Sequence, residues 1–292
     1  MPTGIILKGV GGFYYVKDQK ETFECKARGI FRKTDTKPLP GDRVVFSIID
    51  DEKKIGIIDK IEPRSSCLDR PAVANVNQIF IVTSIKSPVP DLLFVDKLTI
   101  TSQFKGLKAI IVINKIDLDS ERSYVELEEC YKNAGFPMAV ISSKLRNGTE
   151  SLEKYLKNNI TVLAGQSGVG KSTILNNIKN ELIMETGNIS EKIDRGRHTT
   201  RHAELFELKN GGFLLDTPGF SSYELSDILY TDLEKYYPEF QNLNENCRFV
   251  GCSHISEPDC VIKKALDENK IDRGRYERYI EIYNVLKQQK RY

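Results

Sequence analysis

The sequence lacks the features that mark membrane-bound and secreted proteins. Its longest apolar runs, such as IFIVTSI from Ile79, are far too short to span a bilayer. No segment near the N-terminus combines a charged start, an apolar centre and a small-residue cleavage site, as a signal peptide does. We therefore expect a cytoplasmic protein with no membrane partner.

Disulfide bonds and intrinsic disorder are disfavoured as well. The six cysteines lack a secretory context, and the cytosol keeps thiols reduced. We expect Cys25, Cys67 and Cys130 to be core residues. With 40% hydrophobic and 29% charged residues, the 292-residue chain has the composition of a globular protein with two or three domains.

A strong charge of one sign is also missing, because the formal net charge is only +2. The two ends are nevertheless basic. Residues 1–65 hold 13 Lys and Arg against 10 Asp and Glu, and residues 270–292 hold 7 against 3. Basic ends are compatible with nucleic-acid contact by the terminal parts, and equally with ordinary solvated surface charge.

Short strand-like runs dominate the first part of the chain. They are rich in β-branched and aromatic residues and are broken by Gly, Pro and Asp. This pattern predicts an N-terminal domain, residues 1–64, that folds as a five-stranded OB-type β-barrel, and we assign it as an RNA-binding domain because that fold commonly binds oligonucleotides. Phe13, Tyr14 and Tyr15 alternate between its faces, so they either pack in the core, which is the commoner case, or offer stacking platforms for bases.

The pattern changes in the central and C-terminal parts. From about residue 65, continuous Ile and Val runs alternate with helical patterns, which predicts a central α/β domain, residues 65–226, with a parallel sheet covered on both faces. The run AELFELKNGGFLLD indicates a hairpin near its end. Residues 227–292 combine helical patterns with a cysteine and histidine cluster, and we assign them to a mainly helical, zinc-binding C-terminal domain.

The stretch LAGQSGVGKST has the pattern of a phosphate-binding loop. Four of its residues satisfy the spacing G-x-x-x-x-G-K-[ST], between an apolar strand and a helix-compatible run. The backbone N–H groups of such a loop surround phosphates, its lysine reaches the terminal oxygens, and its serine, here Ser172, is a Mg²⁺ ligand. The predicted nucleotide contacts are Gly165, Gln166, Ser167, Gly168, Val169, Gly170, Lys171, Ser172 and Thr173. Lys171 is also predicted to be catalytic.

Three further motifs follow predicted strands. In DTPG, Asp216 can contact Mg²⁺ and the N–H of Gly219 can bind the γ-phosphate. In NKID, the Asp117 carboxylate can accept two hydrogen bonds from guanine N1–H and the 2-amino group. Adenine does not offer both, so this residue would select GTP over ATP. The other predicted base contacts, from NKID and SSK, are Asn114, Lys115, Ser142, Ser143 and Lys144.

The order of these motifs is unusual. They occur as base, base, phosphate, switch and DTPG, whereas an ordinary small GTPase begins with the phosphate loop. Joining the old chain ends and cutting elsewhere leaves every strand in the same place in the sheet. The sequence therefore predicts a circularly permuted GTPase domain.

The chain closely resembles the circularly permuted ribosome-assembly GTPases of the RsgA family, also called YjeQ or YloQ. The resemblance covers essentially the whole chain, through the front barrel, the cysteine-rich tail and the motifs NKID, SSK, GQSGVGKST, DRGRHTTR and DTPGF. It implies slow hydrolysis of GTP to GDP and phosphate, stimulated by the small ribosomal subunit. It also implies a role late in maturation of that subunit, with its rRNA as a partner.

The run EKIDRGRHTTRHA is either a flexible basic loop or the first switch segment. As a switch, it would place a Mg²⁺ ligand at Thr200, or less favourably at Thr199. Arg195, Arg197 and Arg201 would then face phosphate or RNA.

Phe220 stands where many GTPases carry a water-orienting glutamine. A phenyl ring cannot orient water, so catalysis must draw on another group, with an RNA or protein partner ordering the loop. His198 is the candidate, because an imidazole with an ordinary pKa of about 6.5 can position water or accept its proton. The alternative is that His198 only contacts RNA.

The spacing C-x4-C-x-H-x5-C predicts a metal site in the tail. Three thiolates and one imidazole are the donor set of a closed structural Zn²⁺ site, with no open position for catalysis. The alternative is a set of buried, inert cysteines. The predicted zinc ligands are Cys247, Cys252, His254 and Cys260.

The leading functional prediction is a GTPase, expected to be monomeric, that binds GTP and GDP with Mg²⁺ and acts on the small ribosomal subunit. One alternative is a nucleotide-gated RNA-binding module whose hydrolysis is incidental. A second alternative is a signalling switch with protein partners only.

Overall fold

The computed structural model describes residues 1–29, 31, 36–69, 71–182, 203–216, 225–241, 243 and 247–289. These residues divide into two compact units. The first unit comprises Met1–Gln78, Glu153–Val162 and Leu175–Phe220, and the second comprises Ile79–Leu152, Leu163–Ile174 and Ser221–Tyr292. Within the described ranges, none of the helices has both the length and the apolar composition that crossing a bilayer requires.

The first unit begins with a closed five-stranded barrel. Its strands span Thr3–Val10 (β1), Phe13–Lys17 (β2), Thr22–Ala27 (β3), Arg43–Asp50 (β4) and Ile55–Ile61 (β5). They follow the order β1-β2-β3-β5-β4, and only the β3–β5 pair is parallel. Because alternate side chains of a strand point to opposite faces, the barrel encloses a core. Its buried members are Ile6, Val16, Phe23, Cys25, Val44, Phe46 and Ile58. The predicted barrel is confirmed.

The three consecutive aromatic residues of β2 divide between the two faces of the barrel wall. Tyr14 packs against the barrel core. Phe13 and Tyr15 lie on the outer face, half-buried, and each is covered by a lysine. The Lys26 ammonium is 5.0 Å from the centre of the Phe13 ring, and the Lys8 ammonium is 5.4 Å from that of Tyr15.

The expectation of three core cysteines is wrong for Cys67. A two-stranded antiparallel hairpin follows the barrel, with strands at Cys67–Asp69 (β6) and Ala72–Ala74 (β7). In β6 the buried position belongs to Leu68, so its neighbour Cys67 is exposed by strand alternation. Cys25 is buried in the barrel, and Cys130 is half-buried.

The second unit begins with parallel strands and the helices that connect them. Its strands, in the order β10-β9-β8, span Gln78–Ser84 (β8), Lys108–Asn114 (β9) and Met138–Val140 (β10). Every residue of β8 is buried, as is all of β9 after Lys108, which explains their continuous apolar sequences. The connecting helices span Leu92–Phe104 (α1) and Tyr124–Asn133 (α2). The side chain of Asp91 caps α1 by accepting the N–H of Phe94 at 2.9 Å.

The remaining three strands of the sheet alternate with two more helices along the chain. In chain order, these elements span Glu153–Leu156 (α3), Ile160–Ala164 (β11), Lys171–Leu182 (α4), Glu204–Glu207 (β12) and Phe213–Asp216 (β13). β11 is parallel to β13, and β13 pairs antiparallel with β12, so the predicted hairpin is confirmed. Two ion pairs join β12 to the barrel inside the first unit. Lys8 lies 2.7 Å from Glu204, and Lys17 lies 3.7 Å from Glu207.

The C-terminal part of the second unit is mainly helical, as predicted. It contains a 3-10 helix at Tyr230–Tyr236 and α-helices at Pro238–Gln241 (α5), Val261–Asp267 (α6) and Arg273–Gln289 (α7). Aromatic rings form its core. Tyr237 stacks on Phe240 with ring centres 5.1 Å apart, and Tyr279 meets Tyr237 edge-on at 5.0 Å.

A buried ionic network fastens α7 to α1 within the second unit. The fully buried carboxylate of Asp96 accepts hydrogen bonds from the Tyr131 hydroxyl at 2.7 Å and from Arg275 and Arg278. Arg275 is itself only 1% exposed and also contacts Glu239. Charges removed from water need partners, so each member of this network depends on the others.

Candidate functional site

The glycine-rich loop connects β11 to α4, as the motif requires. Its first and last glycines have positive φ angles of +149° and +101°. A Cβ at Gly165 would lie 2.1 Å from the carbonyl oxygen of Val82 in β8, and one at Gly170 would lie 2.3 Å from Nδ2 of Asn114. Both positions therefore require glycine for conformation and for space.

Lys171 folds back over the loop that precedes it. Its ammonium donates to the carbonyl oxygens of Gly165 at 2.6 Å and Gln166 at 2.7 Å. Burial lowers the pKa of Lys171 below its ordinary value. A partly desolvated cation beside a tight glycine loop is a suitable partner for phosphate oxygens. Ser167, Gly168, Ser172 and Thr173 are exposed and open to a ligand.

Asn114 joins three of the predicted nucleotide loops. It is fully buried at the end of β9, and its Nδ2 donates to the carbonyl oxygen of Val169 at 2.8 Å and to Oγ of Ser143 at 3.0 Å. Its Oδ1 accepts the backbone N–H of Ser143 at 2.9 Å. The NKID loop, the SSK loop and the phosphate loop are therefore held together by one amide side chain.

Asp117 is the exposed acid of the NKID loop. The buried hydroxyl of Ser142 donates to its Oδ1, which orients the carboxylate. Lys115 adopts a left-handed φ of +66° and donates from its ammonium to the carbonyl oxygen of Ser87 at 2.6 Å, while Lys144 is exposed. An exposed, oriented carboxylate at this position can accept the paired N–H groups of guanine.

Asp216 ends β13 and is engaged by a lysine. Its Oδ2 lies 2.6 Å from the ammonium of Lys179 on α4, which also lies 3.6 Å from the centre of the Phe206 ring. The predicted Mg²⁺ contact of Asp216 stays a prediction. Other residues assigned from sequence fall outside the described part of the chain, namely Arg195, Arg197, His198, Thr199, Thr200, Arg201, Gly219 and Phe220.

The cysteine and histidine residues of the tail form one cluster. The ligand atoms of Cys247, Cys252, His254 and Cys260 all lie within 4.8 Å of one another. A tetrahedral Zn²⁺ with Zn–S bonds of about 2.3 Å places its sulfurs about 3.8 Å apart, so the cluster has the size and donor set of a zinc site. His254 Nδ1 lies 3.7 Å from Sγ of Cys247 and 3.4 Å from Sγ of Cys260.

Burial also affects the thiols of this cluster. It raises the pKa of Cys252 to about 12 and raises that of Cys260. Buried thiols of this kind stay protonated in the absence of a cation, and a bound metal displaces their protons. The cluster could therefore hold a metal such as zinc.

Sequence reasoning missed several partners of the predicted site residues. They include Lys179 beside Asp216 and Glu234 beside His254, as well as the Val169 carbonyl that binds Asn114. None of these contacts leaves a signal in the sequence. A single lysine or glutamate has no periodicity, and any residue type can supply a backbone carbonyl.

The phosphate loop meets the NKID and SSK loops at the ends of parallel strands, with the base motifs earlier in the chain than the phosphate loop. This combination defines the class of circularly permuted P-loop GTPases. The chain belongs to the RsgA GTPase family, whose model matches residues 61–226, and the model of the RsgA N-terminal domain matches residues 3–58.

Curated relatives and solved structures agree with this membership. The chain is 56% identical to the small ribosomal subunit biogenesis GTPase RsgA of Ruminiclostridium cellulolyticum, over 98% of this chain and 94% of the relative. The structure resembles the crystal structure of YjeQ from Thermotoga maritima with a TM-score of 0.84, and the two sequences are 35% identical with 98% of each chain covered. The crystal structure of YloQ, described as a circularly permuted GTPase, has the same identity and TM-score, covering 99% of this chain and 96% of that chain.

These comparisons confirm three of the predictions made from sequence. They are the family, the fold class of barrel, permuted GTPase domain and helical tail, and the activity of a GTP hydrolase. The residue-level assignments and the boundaries at residues 64 and 226 stay predictions.

Proposed function

We propose that this protein hydrolyses GTP to GDP and phosphate in the late maturation of the small ribosomal subunit, with that subunit as its activator and its rRNA as a binding partner. The observation that carries the proposal is the 56% identity, over almost the whole of both chains, to a relative named as a small ribosomal subunit biogenesis GTPase. Because one fold can host many functions, the identity and coverage carry this proposal and the fold alone does not.

The contacts of the base-motif and phosphate loops in the second unit support the proposed nucleotide roles. Asp117 reads the guanine base, with Asn114 and Ser143 supporting the loops around it. The loop from Gly165 to Thr173 holds the phosphates, and Lys171 stabilises the charge that develops in hydrolysis. The proposed Mg²⁺ ligands are Ser172, Asp216 and Thr200, and the ion would neutralise negative charge on the β- and γ-phosphate oxygens.

We propose that a partner activates GTP hydrolysis, because the Phe220 side chain has no group that can hydrogen-bond the attacking water. His198 is the proposed group that positions the attacking water once a partner orders its loop. If so, His198→Ala slows stimulated turnover with little change in GTP affinity. Equal turnover in the variant and in the unaltered protein would remove His198 from the mechanism.

The barrel and the zinc tail are proposed to bind rRNA, as domains 1–64 and 227–292 that precede and follow GTPase domain 65–226 in the sequence. The outer face of the barrel supports this role. There Phe13 and Tyr15 lie beneath lysines, and aromatic rings with nearby cations are suited to stacked bases and phosphates.

The decisive experiment measures GTP turnover alone, with purified small subunits and with purified large subunits. We expect a large stimulation by small subunits only. Lys171→Ala, assayed in parallel, should abolish the stimulated rate, which would exclude a contaminating GTPase. A rate unchanged by small subunits would overturn the ribosomal role while leaving the GTPase class intact, and it would favour a switch with protein partners.

A further inference from the structure

The second ring nitrogen of His254 has a carboxylate partner outside the cysteine motif. Nε2 of His254 contacts Oε2 of Glu234, whereas Nδ1 faces Cys247 and Cys260. The His254 side chain is 1% exposed and that of Glu234 is 19% exposed, so water competes little for the contact. A carboxylate accepts the N–H of an imidazole, so this contact favours a proton on Nε2 and leaves Nδ1, which faces the cysteines, as the nitrogen for a metal.

The surroundings of the ring favour this single orientation. The ring of Phe240 meets it edge-on with centres 5.7 Å apart. The backbone on both sides is also fixed, since the hydroxyl of Tyr276 donates to the carbonyl oxygen of His254 at 2.6 Å and that of Tyr279 donates to the carbonyl oxygen of Ser253 at 2.8 Å. His254 is held by these contacts with a left-handed φ of +61°.

The neighbouring acid Glu257 contacts the loop around His254 and not the imidazole. Its Oε1 accepts the hydroxyl of Ser253 at 2.7 Å and the N–H of Ser253 at 2.9 Å. Its Oε2 accepts the N–H groups of Ile255 and Ser256 at 3.2 Å. Glu257 therefore shapes the loop backbone. Among the contacts of the described residues, Glu234 is the carboxylate that meets the imidazole.

We propose that Glu234 is the positioning residue of the metal centre, which fixes the tautomer and ring orientation of His254 for a metal bound through Nδ1. The inference rests on the proposed zinc site. A carboxylate on the far nitrogen of a metal-bound histidine raises the basicity of that ligand, and its loss typically weakens metal binding by about 10- to 100-fold. The metal affinity thus depends on the 3-10 helix at Tyr230–Tyr236, which lies outside the motif that predicts the ligands.

The test compares three variants of the full-length chain. Glu234→Ala removes the acceptor. Glu234→Gln keeps an oxygen that accepts the N–H but loses the charge. Asp232→Asn is the matched control, because Asp232 lies on the same helix and pairs with Lys235 at 2.7 Å. After zinc content has been measured by elemental analysis, zinc affinity is determined by competition with a chelator. ¹⁵N NMR of the imidazole then reports which ring nitrogen carries the proton and which binds the metal.

We expect affinity to fall about 10- to 100-fold in Glu234→Ala and less in Glu234→Gln, with no change in Asp232→Asn. In the unaltered protein, the NMR spectrum should place the proton on Nε2 and the metal on Nδ1. Unchanged affinity in both Glu234 variants, or a metal bound through Nε2, would overturn the inference while leaving the zinc site in place. An unaltered chain without zinc would refute the site itself. If Glu234→Ala does not fold, Glu234→Gln and the NMR assignment decide the question.

Discussion

At the scale of single residues, Asn114 and Asp117 of the NKID motif have different surroundings. Asn114 has both amide atoms engaged inside the protein, with Val169 and Ser143 as partners, so it holds loops together. Asp117 is exposed and has one carboxylate oxygen oriented by Ser142. We therefore propose Asp117, and not Asn114, as the residue that chooses between guanine and other bases.

Asp117→Asn should exchange guanine preference for xanthine preference. The amide offers a donor where the carboxylate only accepts, which suits the 2-oxo group of xanthine and not the 2-amino group of guanine. Losing a charge-assisted hydrogen bond should lower GTP affinity by roughly 10- to 100-fold. Binding of GTP and XTP measured by titration calorimetry checks this, with the exposed Glu121→Gln as control. Undiminished GTP affinity would remove Asp117 from base reading.

Gly170→Ala should weaken nucleotide binding more than Gly168→Ala. Both glycines have positive φ, at +101° and +80°, so an alanine is strained at either position. Only at position 170 does the new Cβ meet a buried side chain, at 2.3 Å from Nδ2 of Asn114, whereas at position 168 it meets Pro88 at 3.7 Å. Displacing Asn114 leaves buried polar groups unpaired at a cost of about 1–3 kcal/mol. Equal GTP affinities of the two variants would contradict this account.

At the scale of elements, α7 is tied to α1 by charge as well as by apolar packing. Asp96 in α1 and Arg275 in α7 are both almost completely buried. A buried ion pair contributes little net stability compared with an apolar replacement, but removing one partner strands the other charge. The pair therefore acts mainly to specify which faces of the two helices meet.

Arg275→Met should lower the free energy of unfolding by about 3–5 kcal/mol, because Asp96 loses one of its two arginine partners and the buried Glu239 loses its own. The exposed Arg273→Met, at the start of the same helix, is the control and should change it little. Urea titrations of both variants provide the measurement. Arg275→Met combined with Asp96→Leu should cost less than the sum of the two single variants, because both remove the same contact. A double variant as unstable as the sum of the singles would argue against coupling between the two helices.

At the scale of the whole molecule, the two compact units cut across the domains predicted from sequence. The first unit joins the barrel to β12 and β13, and the second joins the base-reading loops to the helical tail. The proposed zinc site lies in the second unit, among the helices of the tail. A bound metal would therefore stabilise the packing of the tail. Loss of that metal should therefore loosen α6 and α7.

Zinc removal is expected to lower the thermal unfolding temperature and to expose tyrosines of the tail core, because Zn²⁺ binding contributes directly to folding in closed sites. Cys252→Ala should reduce the zinc content and have the same effect. Cys67→Ala, at an exposed cysteine outside the cluster, should retain one zinc per chain. Elemental analysis and near-UV circular dichroism test this. A metal-free chain with an unaltered melting curve would refute a structural zinc.

Much of the fold could be predicted because its signals are local. The buried strands β8 and β9 are continuous apolar runs, and the barrel strands are short β-branched runs between turn residues. Strand alternation at Cys67 was missed because β6 has only three residues, too few for a period of two to be recognised.

The sequence by itself determined which chemical motifs are present and in which order they occur along the chain. Glycine spacing predicted a phosphate loop, and one carboxylate in NKID predicted guanine recognition. The order of these motifs predicted the circular permutation. Each of these properties belongs to a short, contiguous segment, so no knowledge of distant contacts is needed.

Only the tertiary structure decided which side chains serve one another. Asn114 meets Val169 across 55 positions, Arg275 meets Asp96 across 179, and Glu234 meets His254 across 20. Such pairs follow from how helices and loops pack, and an isolated polar residue carries no pattern that names its partner. The sequence therefore predicted the reacting and metal-binding groups, while packing determined how they are held in place.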